Sequence, residues 1–269
     1  MRPALTYHGG KQTIAKRIVG LIPEHTTYVE PFCGGAAVLF AKPISKVEVI
    51  NDTFDHLVTF YRVLQDDDMR ESLLRRLEFT PFAESEKRRA MGILKSDEPH
   101  DDVTRAWAMF TATMQGFGHS PLSGWARGRD KRDLNFFHSK SEQLPICAKR
   151  IRHAQIWASD AQTVIPYFDS PETFFYVDPP YIGTGCGHYK GYTPDDYQAL
   201  LDMLNGIQGK FILSGYPNDY ADAMGFHTHD IECVMGINNT KGNGALKKTE
   251  RLWANFELKQ QLTLFEVSA

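Results

Sequence analysis

Cysteine is scarce: the 269 residues contain four, Cys33, Cys147, Cys186 and Cys233, and no two of them make a C-x-x-C pair. That spacing argues against both a structural zinc site and a disulfide framework. The only close histidines, His227 and His229, flank one threonine, and solvated surface residues are the expected reading. No metal is therefore expected. No apolar run approaches the ~20 residues of a membrane-spanning helix, and no signal sequence opens the chain. A membrane is not an expected partner, and a reducing cytoplasm is the expected compartment. Charge of one sign is missing too. Thirty Lys and Arg stand against 33 Asp and Glu, a formal net charge of −3, so any nucleic-acid surface has to be a local patch. Also absent is a G-x-G-x-x-G run, which weakens a dinucleotide reading. The rest is ordinary for a globular protein, with 42% hydrophobic and 23% charged residues and enough length for a sizeable core.

Five stretches read as strands: 26–32 (TTYVEPF), 46–52 (KVEVIND), 154–160 (AQIWASD), 173–180 (TFFYVDPP) and 209–216 (GKFILSGY). Helical periodicity fills several gaps; Leu57, Phe60, Tyr61 and Leu64 follow the second strand at i, i+3, i+4, i+7. Strands alternating with helices predict an α/β fold with a doubly wound, mostly parallel sheet. "FHTHDIECVMG" and "ERLWANFEL" predict a further, C-terminal antiparallel strand pair. About a hundred residues separate the second strand from the third, where a crossover needs only a dozen or so. Residues 65–150 are read as an inserted helical subdomain, with 1–64 and 151–269 forming the core. Within the insertion, Val103, Ala106, Trp107, Phe110 and Met114 keep helical spacing. The pattern breaks at Gly116 and Gly118 into a loop rich in Gly, Arg and aromatics.

Chemistry-bearing residues gather at predicted strand ends. The aromatic, β-branched run Thr173–Val177 lacks alternation, as a strand buried on both faces does. It must stop at Asp178, because Pro179 has no N–H to donate. An acid, two rigid prolines (Pro179, Pro180) and Tyr181 are thus held at a carboxyl end, where open α/β sheets bind ligands. A first strand runs into Gly34-Gly35 and then a helix, a turn that lets backbone approach a ligand; an ordinary tight strand-to-helix turn is the alternative. Asp52 ends the second strand about 20 residues past that turn, the spacing of a ribose acceptor; a helix cap is the alternative. A glycine turn and a ribose acid without a phosphate fingerprint suit S-adenosylmethionine, a nucleoside cofactor lacking phosphates. In "YHGGK", Lys11 either meets that cofactor's carboxylate, with Tyr7 against it, or is solvated, as a lysine just before a helix usually is. Asp160 ends the third strand, where it accepts an adenine amine or caps the next helix.

In this order the motifs resemble those of Dam-type DNA adenine-N6 methyltransferases over nearly the whole chain. "YHGGK" is similar to the family's N-terminal K-W-x-G-G-K, with Thr6 and Tyr7 replacing Lys-Trp. "VEPFCGGAAVLF" is similar to V-E-P-F-x-G-x-G-x-V-F, with Ala36 where a glycine is usual. "INDTFDHLVTFY", "KFILSGY" and "ERLWANF" resemble further core segments, and "DPPY" matches outright. The resemblance implies a Rossmann-like sheet, S-adenosylmethionine held partly by Glu30, Pro31 and Phe32, and a target adenine flipped out of double-stranded DNA. Asp178 and the Pro179 carbonyl would accept the two amine hydrogens, and Tyr181 would stack on the base. The insertion would recognise DNA through Gln115, His119, Trp125, Arg127, Arg129, Lys131 and Arg132. Tyr189 and Lys190 would close over the base; a solvated loop is the alternative for each. The Asn usual near the recognition aromatics is missing from "MQGFGHS", so no target sequence carries over. Cytosine-N4 methylation and a catalytically silent DNA-binding protein are the alternatives. The implied setting is a bacterial or phage-infected cytoplasm, where a cognate restriction enzyme would be a further partner.

Overall fold

The unalternating apolar run at 173–177 becomes the strand β4 (Thr173–Val177), every residue of it buried. Its neighbours explain why: β1 (Thr27–Glu30) and β5 (Lys210–Gly215) flank it in parallel register. In this computed structural model residues 1–127, 131–181, 192–235 and 246–259 are described, with backbone alone for 131–133, 234–235 and 246–247. Along the chain come α1 (Ala15–Val19), β1, α2 (Ala37–Ala41), β2 (Val47–Asn51) and α3 (Asp55–Gln65). Then follow α4 (Asp67–Glu78), α5 (Glu84–Lys95), α6 (Asp102–Met114), α7 (Lys131–Ile151), β3 (Gln155–Trp157) and α8 (Ala161–Phe168). After β4 come α9 (Pro194–Gly206), β5, α10 (Asp219–Asp222), β6 (His227–Met235) and β7 (Leu246–Ala254).

The seven strands form one sheet in the order β3-β2-β1-β4-β5-β7-β6. Five strands run parallel, and β7 and β6 are antiparallel. The predicted doubly wound fold with a C-terminal antiparallel pair is thus the observed one. From β1 the chain winds outward through β2 and β3, then returns to place β4 on the other side of β1. The order therefore switches between β1 and β4, and a crevice opens there at the carboxyl ends.

Strand alternation sorts the core into two layers. Tyr28, Ile50, Phe174, Tyr176, Ile212, Leu252 and Ala254 pack with α1 to α7 on one face. Val29, Val49, Phe175, Val177, Phe211, Leu213 and Trp253 pack with α8, α9 and α10 on the other. Helices α4 to α7 share the first core with the sheet. Phe110 of α6 stacks on Phe60 of α3 at 6.2 Å and meets Phe137 of α7 at 5.5 Å. The Gln65 side-chain amide ties α3 to the end of α7 by donating to the carbonyls of Ile151 and Ala154 at 2.7 Å. The long segment between β2 and β3 is therefore a helical layer built onto the sheet, with one continuous hydrophobic core.

Past α6 the chain makes a short hairpin rather than an open loop. Gly116 bridges Trp125, Phe117 N–H donates to the Gly124 carbonyl at 2.8 Å, and Ala126 N–H donates to the Gln115 carbonyl at 2.9 Å. Buried Lys87 of α5 clamps it, donating to the carbonyls of Ala112 and Pro121 at 2.8 and 2.6 Å. Burial lowers the Lys87 pKa to about 8.

Candidate active site

Period two along the strands brings the acids together. Glu30, Asp52, Asp178, Ser214 and Glu250 each lie two residues from a strand residue of the first core: Tyr28, Ile50, Tyr176, Ile212 and Leu252. They therefore face one side of the sheet, at the edge where the crevice opens. A cavity of about 500 Å³ fills that crevice, within the range of small-molecule sites. Its walls include Tyr7, Lys11, Glu30, Phe32, Gly34, Gly35, Asp52 and Asp178 to Tyr181.

The first turn is held open by its neighbours. Gly34 has φ +46°, a left-handed conformation that glycine adopts at no steric cost, and a Cβ there would lie 3.3 Å from the Tyr7 ring. The Asp52 carboxylate accepts from Gly34 N–H at 3.0 Å and from Phe54 N–H at 2.9 Å. Asp52 thus braces the glycine turn against the start of α3 while lining the cavity. Glu30 plays a similar part behind it. One carboxylate oxygen accepts from the Tyr28 hydroxyl and from Leu39 N–H, each at 2.7 Å, capping α2 where Ala36 offers no side-chain cap. Burial pushes the Glu30 carboxyl up to about 7.

The second turn carries a charge cluster. Lys11 Nζ donates to both oxygens of Asp178, at 2.8 and 2.7 Å, and to the Gly9 carbonyl at 3.1 Å. Lys11 lines the cavity, as the sequence reading placed it, and within the protein its three donors meet Asp178 and the Gly9 carbonyl. Its pKa is raised: burial disfavours the ammonium, but Asp178 and Glu250 more than offset that. Burial pushes Asp178 up to about 6; Lys11 opposes the rise and Glu250 adds to it.

Glu250 escapes the sequence reading. It stands on β7, buried, 3.6 Å from Lys11 Nζ. One of its oxygens accepts from the Tyr181 hydroxyl at 2.5 Å and from the Ser214 hydroxyl at 2.6 Å. The Tyr181 hydroxyl also reaches Asp178 at 3.3 Å. The Tyr181 ring packs at 68° on Tyr216 with centroids 4.5 Å apart, and Lys248 donates to the Tyr216 hydroxyl at 3.0 Å. Tyr216 and Lys248 complete the wall on that side.

Other expected residues fall elsewhere. Pro31 is buried behind the turn, its carbonyl accepting from Asn51 at 2.8 Å. Asp160 caps α8, accepting from Gln162 N–H at 2.7 Å, and is not part of the cavity wall. Gln115 is fully buried; its amide donates to the Pro81 carbonyl at 2.9 Å and accepts from Ala83 N–H at 3.1 Å. With both ends committed inside the protein, Gln115 does not present to DNA. Trp125 is half-buried against Phe82, ring centroids 6.0 Å apart. Arg127 is exposed where the hairpin ends, and His119 accepts from His8 N–H at 3.2 Å, joining the hairpin to the cavity rim. Lys131 and Arg132 begin α7. Arg129, Tyr189 and Lys190 lie outside the described residues. Among the described residues no helix is long and apolar enough to cross a membrane, and no group of three or more His, Cys, Asp or Glu could hold a metal ion.

The comparisons with known proteins agree with this geometry. The Type II methyltransferase M1.LlaDCHI of Lactococcus lactis subsp. cremoris is 25% identical over 284 aligned residues, covering 95% of this chain and 96% of the relative. The Type II methyltransferase M.MjaIII of Methanocaldococcus jannaschii is 27% identical over 223, covering 73% of this chain and 75% of the relative. The sequence profile of the D12 class N6 adenine-specific DNA methyltransferases matches residues 7–234, which include both turns and Asp52, and the chain belongs to that family.

Proposed function

We propose that this adenine DNA methyltransferase acts on an adenine rotated out of duplex DNA, in the crevice between β1 and β4. The observation that supports this most is the juxtaposition in one cavity of the braced glycine turn and the Asp178–Tyr181 turn. A cofactor and a target base need two such adjoining surfaces, and the chain offers both on one face of the sheet.

The donor set fits S-adenosylmethionine, which family membership implies as methyl donor. Asp52 retains acceptor capacity for ribose hydroxyls, because a carboxylate offers about four lone-pair sites. Gly34 and Gly35 present backbone without side chains, and the Tyr7 ring lies against them. When bound, the cofactor supplies an electrophilic methyl group on a sulfonium.

The chain's residues prepare the nucleophile. An adenine amine is weakly nucleophilic because its lone pair is delocalised into the ring. The Asp178 carboxylate and the Pro179 carbonyl accept its two hydrogens, which localises that lone pair toward the incoming methyl. Both acceptors are fixed before the base arrives, Asp178 by Lys11 and the backbone by two prolines, so little reorganisation accompanies transfer. Tyr181, anchored through Glu250, gives the base a stacking face. The methylated nitrogen must then lose one proton, and Asp178, raised to about 6, is a stronger base than an ordinary carboxylate. DNA recognition falls to the helical layer and its hairpin, which touches the cavity rim at His8.

Expression in a host free of DNA methylation, followed by sequencing that detects modified bases, tests this reading. The expected result is N6-methyladenine at one short recurring sequence. Unmodified DNA, or N4-methylcytosine, would overturn it.

A further inference from the structure

Arginines crowd a second concavity on the helical layer, and the catalytic cavity shares no residue with it. A cleft of about 470 Å³ lies between α4, α5 and α6, walled by Arg75, Arg76, Arg89, Glu86, Phe79 and Trp107 among others. Arg76 and Arg89 both lie over the buried Trp107 ring, their guanidinium carbons 4.2 and 5.0 Å from its centroid. Arg76 Nη1 donates to the Thr104 hydroxyl at 2.7 Å, and Thr104 in turn donates to Asp101 at 2.7 Å. Arg89 lies 3.6 Å from Glu86, and Arg75 lies 3.4 Å from Glu71 at an exposed position. Three of the lining side chains are guanidiniums and one, Glu86, is a carboxylate, with Glu71 and Asp101 standing behind Arg75 and Arg76 outside the lining.

Two like charges drawn together over one ring repel: burial and Arg89 lower the Arg76 pKa, and Asp101 and Glu86 offset that only in part. Such a pair is relieved by an anion that meets both. Guanidinium forks match phosphoryl oxygens bidentately, which makes that group the best-suited ligand. Phe79, 78% exposed at the rim, adds an apolar surface where a bare salt-bridge network has no need of one. We propose that this cleft is a phosphoryl-binding site.

The phosphoryl group can belong to a DNA backbone or to a free phosphate ester. Position favours DNA. Trp107 stands eight residues before Gln115, whose carbonyl anchors the hairpin, so the cleft lies ~12 Å along α6 from it. The cleft and the hairpin are thus joined by one helix, which makes a duplex read by the hairpin the nearest source of phosphates. This DNA source rests on the proposed role of the hairpin; the free-ester source does not.

The test compares the wild type with Arg76→Gln/Arg89→Gln and, because the stacked pair also packs on Trp107, with the exposed Arg75→Gln. Arg88→Gln, exposed and paired with Glu84 on the same helix, is the control. Duplex affinity is measured across a salt series. Melting temperature is measured with inorganic phosphate against chloride at equal ionic strength. For a DNA phosphate, the log–log salt slope falls by about two units in the double variant and about one in Arg75→Gln, with Arg88→Gln unchanged. For a free ester, phosphate raises the melting temperature of the wild type but not of the double variant, and the salt slopes agree. Equal slopes in all four proteins together with no phosphate effect would overturn the site. Wild-type protein that bound no DNA would instead sink the hairpin's role, leaving the phosphate measurement to decide the cleft.

Discussion

Replacing Glu250 by Gln keeps the side chain's size and removes its charge. In the structure that charge receives the Tyr181 and Ser214 hydroxyls at 2.5 and 2.6 Å. Hydrogen bonds to a charged group contribute ~1.5–3 kcal/mol, and neutral ones ~0.5–1.5. The amide oxygen can still accept both, so each bond loses ~1 kcal/mol. If most of the Tyr181 share reaches the transition state through the placement of its ring, the transfer rate falls about 3- to 5-fold. The same substitution has an opposite effect on pH dependence. Only ionised Asp178 accepts from the amine, so wild-type activity should fall as pH drops through about 6. Glu250 is one of the groups holding that value up, and neutral Gln should let it sink. The acid limb of the kcat/KM profile therefore moves to lower pH although the plateau is lower. A pH series of methyl transfer to duplex DNA measures both effects. An acid limb that stayed at the wild-type pH, with a plateau within twofold, would refute the coupling of Glu250 to Asp178 and Tyr181.

Tyr181→Phe keeps the stacking ring but leaves Glu250 with one donor fewer, so single-turnover kinetics should show a loss of about tenfold. Tyr181→Ala should lose more, because base stacking adds ~1–3 kcal/mol. Asp52→Ala frees two backbone N–H groups and should cost ~1–3 kcal/mol in cofactor affinity by calorimetry, with unchanged affinity removing Asp52 from the site. Lys87→Met leaves the Ala112 and Pro121 carbonyls without their donor. It should speed proteolysis within residues 116–126 while sparing the sheet; protection equal to wild type would contradict the clamp.

Strand ends were the legible part of this site. Asp178 and Asp52 could be read because a proline stop and a glycine-turn spacing mark where their strands finish. Glu250 could not, since it sits in "KKTERLW" on an antiparallel strand and meets Tyr181 across 69 positions. One signal was present: Leu252 and Ala254 face the first core, so Glu250 two residues earlier must share their side. Lys11 was legible as a cavity residue, but its pairing with Asp178 was not, because that pairing spans 167 positions and depends on which strands adjoin. Gln115 misled because a polar residue beside glycines and aromatics looks like an exposed loop donor. Its place at the end of α6 turns it inward, where the loop before α5 needs its amide. The parallel sheet was predictable from unalternated runs, but local periodicity did not carry the packing of residues 67–151 onto α3. The family matched by the profile is adenine-specific, which favours adenine over the cytosine alternative.

The central claim is that Asp178 and its turn deliver an adenine amine to the methyl donor. Single-turnover transfer of labelled methyl from S-adenosylmethionine to duplex DNA, with nucleosides resolved by mass spectrometry, tests it most directly when wild type and Asp178→Asn are run side by side. The label should appear as N6-methyladenine in the wild type, and Asp178→Asn should transfer it ~100-fold more slowly or worse, the scale of one lost preorganised group. Label recovered as N4-methylcytosine, or an Asp178→Asn rate equal to wild type, would contradict the account.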